Sequence, residues 1–413
     1  MRAVLMVLCL LCAGASAKAW THGNTGYVGN IVTRAGVESE LDSTNTEAMA
    51  ETWYYVRGAH TNPQFIFANF YANANGSESA PGTSATITAS VEYPPGTCTQ
   101  IKWSGSASLT VASGALAAAS DAVSLSLPDG ARIGVRLYVQ STGGIVYAEN
   151  ETVPAVSGDE LRVGTSGISD QTTSCDTITG NTDEGFIPAN AIIAQTTSPS
   201  VCIVGDSIAH LQDDNGTVAG DIEVIARSLG PTIAYIHIDR PSTTAEAFVQ
   251  PNASAQRQKL FQYCSHVIVE YGINDFAIPG ESATVAQLQG YLTTIYGYAA
   301  PNTTIFQTTL TPYTTSTDNW ATTANQSPEA WESKRVSFND QLRAGTFGPN
   351  GGYFDQAQPA ETSADSGIWK AGASFPQCTS PNYWTTDGVH FDTCAAAFGA
   401  ASGVINTSRI HYP

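Results

Sequence analysis

Four residues in the second half of the chain could together perform nucleophilic catalysis. Ser207 offers a hydroxyl group, which needs a neighbouring base to react at neutral pH. His390 is the candidate base, and Asp387, three residues before it, can orient the imidazole and stabilise its charged form. Asn274 carries a side-chain amide, the kind of donor that stabilises a tetrahedral oxyanion. These residue types predict acyl transfer through a serine nucleophile.

The elements that must position these residues are predicted by the pattern after residue 200. Short apolar runs alternate there with helical spacing, which indicates a parallel sheet in a three-layer α/β domain. Strands are predicted at 201–204, 233–238, 266–269 and 305–310, and helices at 222–229 and 285–295. Ser327 and Pro328 predict the start of a further helix. Because ligands of such sheets bind at the carboxyl ends of the strands, the candidate residues lie where a site is expected.

The first half of the chain has a different period. Apolar and polar residues alternate at 87–93, 123–127 and 133–139, and Pro- and Gly-rich turns separate these runs. This pattern predicts an all-β sandwich or jelly roll at 18–155, followed by a connecting segment at 156–198 and the α/β domain at 199–413.

The α/β half resembles the SGNH, or GDSL-type, esterase superfamily. The nucleophile motif of the family is matched by 205–208, its Gly-x-Asn-Asp motif by 272–275 and its Asp-x-x-His motif by 387–390, in family order. The stretch 308–343 is also similar to secreted members that carry an N-terminal β domain. A Gly-x-Ser-x-Gly elbow, which marks the other common esterase scaffold, is not present in the sequence.

The resemblance implies a flavodoxin-like sheet and two-step acyl transfer through a seryl ester, without metal or other cofactor. Ser207, Asp387 and His390 would be the catalytic residues. The oxyanion hole would use the backbone N–H groups of Ser207 and Ser242 together with the amide of Asn274. Ser242 stands where the family has Gly, so its N–H can serve only if its backbone takes the required angles.

The beginning of the chain predicts export. Arg2, the apolar run 4–12 and the small residues 15–17 are typical of a secretory signal at 1–17, cut before Lys18. Six cysteines remain after cleavage, which suggests three disulfides. The pair Cys378–Cys394 is the one local expectation. Glycosylation sequons are present, which suits a secreted glycoprotein; they lie at Asn75, Asn150, Asn215, Asn252, Asn302, Asn325 and Asn406.

Charge limits the partners. The chain has 36 acidic residues against 17 Lys and Arg, a formal charge of −19, which argues against nucleic acid. No segment is long enough for a stable membrane anchor. The expected substrate is a small ester or an acylated carbohydrate with a short acyl group. Three alternatives stay open: a lipase or phospholipase, acyl transfer to another alcohol, and a non-catalytic glycan-binding protein in which Ser242 marks a degraded oxyanion hole.

Other residues have a structural and a functional interpretation. Asp206 and Glu270 are expected to be structural rather than reactive. His210, Asp213 and Asp214 could bind a metal, but a polar loop is the simpler interpretation. Three aromatic residues could form a platform for a sugar ring or could pack in the core: Trp369, Tyr383 and Trp384.

Overall fold

The computed structural model describes residues 26–149, 157–178, 180, 185–210, 214–278, 282–372, 375 and 383–412. The predicted signal peptide, Asn150, Asp213 and Cys378 lie outside the described residues. Strands up to residue 196 are β1 Tyr27–Asn30, β2 Ala35–Gly36, β3 Glu40–Asp42, β4 Glu47–Tyr55, β5 His60–Thr61, β6 Gln64–Ile66, β7 Tyr71–Ala72, β8 Glu78–Ser79, β9 Ala85–Glu92, β10 Cys98–Gln100, β11 Ser108–Val111, β12 Ser126–Leu127, β13 Arg132–Gln140, β14 Ile145–Glu149, β15 Glu160–Gly164, β16 Gly185–Phe186 and β17 Ala191–Thr196.

The main sheet of this half is antiparallel and has the order β10-β9-β13-β4-β15, with β11 also paired to β9. Its long strands lie where the alternation predicts them, because Ile87, Ala89 and Val91 point to a buried face. In β13, Ile133 and Val135 do the same. Smaller antiparallel sheets surround it, among them β1-β17-β6 and β16-β14-β3. A complete sandwich or jelly roll stays a prediction.

The segment 156–198 contains the strands β15, β16 and β17. β15 extends the main antiparallel sheet beside β4, and β17 lies between β1 and β6. A disulfide joins Cys98 to Cys175 and holds this segment against β10. Its composition, rich in Ser, Thr, Gly and Asp, did not reveal these strands, because their pairing partners lie far away in sequence. The bounds of the predicted domains stay a prediction.

The second half of the chain builds a parallel α/β sheet. Its strands are β18 Ser200–Val204, β19 Ala234–His237, β20 His266–Val269, β21 Thr304–Thr308, β22 Thr314–Ser316, β23 Gln326–Pro328 and β24 Tyr353–Phe354. The order β2-β19-β18-β20-β21-β24 is parallel throughout. From β19 to β24 this is the doubly wound order 2-1-3-4-5, with β2 from the first half added at one edge.

Helices cover both faces of this sheet. They are α1 Glu223–Leu229, α2 Ala245–Val249, α3 Ile273–Ala277, α4 Val285–Tyr296, α5 Glu332–Arg343, α6 Ala357–Ala360 and α7 Thr393–Ala401. Val201 and Ile203 of β18 pack on the side of α1 and α7. Cys202 and Val204 point to the other face, where α4 and α5 pack. A second disulfide joins Cys202 to Cys264 within this face.

The helix expected to begin at Ser327 begins at Glu332 instead. Residues 326–328 form β23, which pairs with β22 in an antiparallel hairpin. The prediction was wrong because Ser-Pro-Glu is locally suited to a helix start, whereas the hairpin depends on a partner strand ten residues away. Among the described residues, no helix is long and apolar enough to cross a membrane.

Candidate active site

Ser207 lies in a tight turn directly after β18. Asp206 Oδ1 accepts a hydrogen bond from the N–H of Ile208 at 3.0 Å and so fixes the turn. Gly205 is needed here, because a Cβ at this position would lie 2.8 Å from the Glu270 carboxyl. The side chain of Ser207 emerges from this turn at the carboxyl end of the sheet and is mostly buried.

His390 and Asp387 reach Ser207 from the loop before α7. His390 Nε2 lies 2.7 Å from Ser207 Oγ, and His390 Nδ1 lies 2.5 Å from Asp387 Oδ2. Burial alone would raise the pKa of the Asp387 carboxyl, but hydrogen bonds from His390 lower it to about 2. An ionised Asp387 favours the proton on Nδ1, which leaves Nε2 as the acceptor for the Ser207 proton. The three residues that the sequence suggests for catalysis are therefore brought together in one line.

The Asp387–His390 loop is held from two sides. The carbonyl of Gly388 accepts hydrogen bonds from the N–H of Thr314 at 3.0 Å and from Trp369 Nε1 at 2.9 Å. Gly388 has a φ of +86°, and a Cβ there would lie 2.0 Å from the Thr314 carbonyl oxygen. Only Gly fits between the β22 strand and this loop.

Trp369 and Trp384 are both buried, so the structure decides for core packing and against a substrate platform at these two positions. Tyr383 is only partly buried.

Ser242 has a φ of +63°, in the left-handed region that favours Gly. Its backbone thus adopts a Gly-type conformation although it carries a side chain, which points outward and is exposed. Neither Ser242 nor Ser207 uses its N–H in a hydrogen bond to another described residue. Both donors are therefore available to an oxyanion.

Hydrogen bonds tie the three predicted oxyanion donors to one another. The N–H of Arg240 donates to the Gly205 carbonyl at 3.0 Å, which joins the Ser242 loop to the nucleophile turn. Asn274 Nδ2 donates to the Thr243 carbonyl at 3.0 Å, which joins α3 to the same loop. One hydrogen of the Asn274 amide is left for a ligand, because the group has two.

Replacing Ser242 with Gly should leave kcat nearly unchanged and stabilise the fold by about 0–1 kcal/mol. The left-handed backbone costs an L residue about 1–2 kcal/mol, and the greater freedom of Gly in the unfolded chain offsets part of the gain. Ser242→Val is the matched variant, and it should lower both stability and kcat because a β-branched residue tolerates this φ poorly. Thermal unfolding measures the stability of the two variants, and ester hydrolysis measures their kcat. A large loss of activity in Ser242→Gly would instead assign a role to the hydroxyl.

A buried group of two imidazoles and one carboxylate lies behind the nucleophile turn. His210 Nδ1 and His237 Nδ1 lie 2.5 and 2.9 Å from the two oxygens of Asp239. Burial would raise the pKa of Asp239, but the two imidazoles lower it, and burial lowers the pKa of His210. Donor atoms of the three residues lie within 4.8 Å of one another. Each imidazole uses its Nδ1 on the carboxylate, which is a hydrogen-bonding arrangement.

Of the metal ligands suggested by the sequence, Asp213 lies outside the described residues, and Asp214 has hydrogen-bond partners within the protein. Asp214 receives two hydrogen bonds from the guanidinium of Arg227 and one from the N–H of Glu223. Its oxygens are thus used by a salt bridge that fixes the start of α1.

An aromatic wall beside the site was missed by the sequence reasoning. Tyr313 packs edge-on against Trp331 at 5.5 Å, and Trp331 packs on Phe276, two residues after Asn274, at 6.0 Å. Burial and the charges of Glu329 and Asp387 raise the pKa of Tyr313. The next residue, Thr314, donates its N–H to the Gly388 carbonyl, so Tyr313 lies beside the His390 loop. Tyr313 and Trp331 are partly exposed. The only sequence signal was their position after the β21 strand.

Comparison with known proteins gives structural likeness alone. No family model and no curated protein matches the sequence. A lipase/acylhydrolase from Enterococcus faecalis is similar to 52% of this chain over 98% of its own, with 15% identity and a TM-score of 0.35. A GDSL-like lipase from Bacteroides thetaiotaomicron is similar to 51% of this chain over 87% of its own, with 15% identity and a TM-score of 0.31.

GDSL-type lipolytic proteins are among the solved structures to which about half of this chain is similar. A salicylyl-acyltransferase from a tetracycline biosynthetic pathway is similar over both halves, covering 92% of this chain and 96% of its own, with 11% identity and a TM-score of 0.35. At such identities the substrate of this chain has to be inferred from its own residues.

Proposed function

We propose that the protein is a secreted serine esterase that hydrolyses short-chain carboxylic esters through Ser207, His390 and Asp387. The observation that carries this proposal is the line of hydrogen bonds from Asp387 through His390 to Ser207 Oγ. The backbone N–H groups of Ser207 and Ser242 are unused, and the Asn274 amide of α3 is tied to the Ser242 loop, which supports an oxyanion hole.

In the first half-reaction Ser207 Oγ attacks the ester carbonyl carbon while its proton moves to His390 Nε2. The carbonyl oxygen becomes an oxyanion that the Ser207 and Ser242 N–H groups and the Asn274 amide stabilise. The bond to the leaving alcohol then breaks, the alcohol takes the proton from Nε2, and an ester to Ser207 remains. Asp387 stays ionised throughout and stabilises the imidazolium.

In the second half-reaction water replaces the alcohol. His390 Nε2 takes a proton from water, and the hydroxide attacks the acyl carbon. The tetrahedral intermediate collapses, the carboxylic acid leaves, and the proton returns to Ser207 Oγ. An alcohol in place of water would make the same site an acyltransferase, so the balance between the two depends on which acceptor reaches the acyl-enzyme.

We favour an O-acetyl group on carbohydrate as the natural ester. A formal charge of −19 disfavours polyanionic substrates, and the partly exposed rings of Tyr313 and Trp331 offer faces on which a sugar ring packs. The Gly-type backbone of Ser242 speaks against the non-catalytic alternative, because a degraded oxyanion hole would have no need of this conformation.

Hydrolysis of p-nitrophenyl acetate, butyrate and octanoate tests the reaction and the acyl length. We expect the acetate to be the best substrate and an acetylated polysaccharide to release acetic acid. A preference for octanoate would favour the lipase alternative. If none of these esters is hydrolysed and a serine-directed phosphonate leaves Ser207 unlabelled, the esterase proposal fails.

Export is part of the same proposal. The disulfides Cys98–Cys175 and Cys202–Cys264 support an oxidising compartment, since such bonds are rare in the cytosol. Expression of the full-length chain in a secreting host, followed by N-terminal sequencing, checks it. We expect the mature protein in the medium to begin at Lys18, and retention of an uncut chain in the cells would contradict export.

A further inference from the structure

Two buried carboxyl groups lie against each other behind the nucleophile. Asp206 precedes Ser207, and Glu270 directly follows β20, the neighbour of β18 in the parallel sheet. The register pairs Val204 with Val269, so the residues that follow them meet at the same edge. Asp206 is 0% exposed and Glu270 is 1% exposed. The N–H of Asp206 donates to Glu270 Oε2 at 3.2 Å.

The hydrogen bonds of Asp206 leave one acceptor without a donor. Oδ1 accepts from the N–H of Ile208, but Oδ2 is buried and has no hydrogen-bond partner among the described residues. An unsatisfied carboxylate oxygen in such a place is costly. The backbone N–H of Asp206 already binds Glu270 Oε2, so the Glu270 carboxyl is the neighbouring group. A proton on Glu270 supplies the missing donor, because a protonated carboxyl has one O–H.

Two like charges this close cannot both be stable in a buried site. Burial first, and then the charge of Asp206, raise the pKa of Glu270 well above its usual value. Burial raises the pKa of Asp206 to about 6, while a hydrogen bond from Glu270 and the charge of His390 act in the opposite direction. The larger rise in the pKa of Glu270 means that the single proton of the pair lies on Glu270 and not on Asp206.

The charged groups packed around the pair are known from the structure. Asp239 raises the pKa of both carboxyls, and it is itself hydrogen-bonded by His210 and His237. His390, which is hydrogen-bonded to Ser207, lowers the pKa of Asp206. The guanidinium of Arg240 acts on His210 in this group, and it donates hydrogen bonds to Glu40 and to the Ala72 carbonyl.

We propose that Glu270 is a positioning residue that keeps a proton at neutral pH and donates a hydrogen bond through it to Asp206 Oδ2. This hydrogen bond fixes the turn that presents Ser207. Loss of that proton to solvent at high pH leaves two carboxylates face to face and distorts the turn. The kinetic part of this inference rests on the proposed esterase function, whereas the location of the proton does not.

The kinetic test compares wild type with Glu270→Gln and Glu270→Met on p-nitrophenyl acetate across pH. Gln keeps a donor and an acceptor but has no proton to lose. We expect its kcat at pH 7 to stay within about threefold of wild type, since the hydrogen bond is kept. Met has no donor, and we expect its kcat to fall by about 10²-fold with little change in KM, since it misplaces the nucleophile. The wild-type loss of activity at alkaline pH should be absent in Glu270→Gln.

Glu38→Gln is the matched control. Glu38 is a buried carboxyl that hydrogen-bonds Asn190 away from the nucleophile turn, and burial raises its pKa to about 7. The Glu38→Gln variant should have the same pH profile of kcat as wild type. If Glu270→Gln loses as much kcat as Glu270→Met, or keeps the alkaline loss of wild type, the positioning role is overturned while the esterase function stands.

A second measurement does not depend on ester hydrolysis. The infrared spectrum of wild type at pH 7 should contain the carbonyl band of a protonated carboxylic acid that Glu270→Gln lacks. Thermal unfolding gives the same information, with the sign worked out from linkage. Because the folded-state pKa of Glu270 is raised, wild type loses stability as pH rises from the unfolded value through the folded one. The advantage of Glu270→Gln in Tm should therefore grow with pH.

The two measurements separate the two proposals. A protonated-acid band together with no hydrolysis of any ester would support the proton on Glu270 and overturn the esterase function. No band, and equal pH slopes of Tm for wild type and Glu270→Gln, would overturn the inference even if the esterase is active. If Glu270→Met fails to fold, the comparison of wild type with Glu270→Gln still tests whether Glu270 holds the proton.

Discussion

Ser207→Ala should lower kcat/KM for p-nitrophenyl acetate by about 10⁴-fold or more, because removing the nucleophile of a Ser-His-Asp triad leaves only binding and the oxyanion hole. His390 Nε2 lies 2.7 Å from Ser207 Oγ, so the hydroxyl is placed to lose its proton as it attacks. Ala keeps the backbone N–H of residue 207, and with it one oxyanion donor. The fold should be unaffected, since the variant removes one oxygen.

Ser228→Ala is the matched control for this prediction. Ser228 is a partly buried hydroxyl in α1 that donates to the Val224 carbonyl, so the variant removes the same atom at a site without a base. It should keep full activity and stay reactive toward a serine-directed phosphonate. Wild-type activity or labelling in Ser207→Ala would place the nucleophile elsewhere and overturn the proposed mechanism.

Asn274→Ala should lower kcat by about 10²–10³-fold with a smaller effect on KM, which is the usual cost of removing one oxyanion donor. The amide acts on the developing negative charge, which is absent in the bound ester, so the loss should appear in kcat. The same amide donates to the Thr243 carbonyl and helps to hold the Ser242 loop. Steady-state kinetics with p-nitrophenyl acetate measures the change.

Thr243→Val separates the two contributions of Asn274. It removes the hydroxyl that donates to the Arg240 carbonyl and thus loosens the same loop, but it keeps the Asn274 amide and the carbonyl it binds. If oxyanion stabilisation is the main role, Thr243→Val should lose much less kcat than Asn274→Ala. Equal losses in the two variants would assign the effect to the loop and contradict a direct role of the amide.

The sequence determined the parts of this protein that depend on local patterns. Apolar runs at 201–204 and 266–269 became β18 and β20, because a strand buried on both faces needs consecutive apolar residues. The helix pattern at 285–295 became α4 in the same way. Ser207, Asp387 and His390 could be named together because each lies in a short motif whose chemistry is visible in the residue types.

The tertiary structure decided what depends on distant partners. The left-handed backbone of Ser242 is stabilised by a loop tied to Gly205 and Asn274, and a single Ser gives no sign of it. The hairpin depends on β22, ten residues before β23, and the burial of Trp369 and the pairing of Cys202 with Cys264 need partners still farther away in sequence.

Glu270 shows the same limit most clearly. In the sequence it is one acidic residue after an apolar run, and a proton on it cannot be predicted from residue type. Only the parallel pairing of β18 with β20 brings it against Asp206 in a site closed to water. Burial and the neighbouring charge then determine where the proton lies, because both depend on the environment that folding creates.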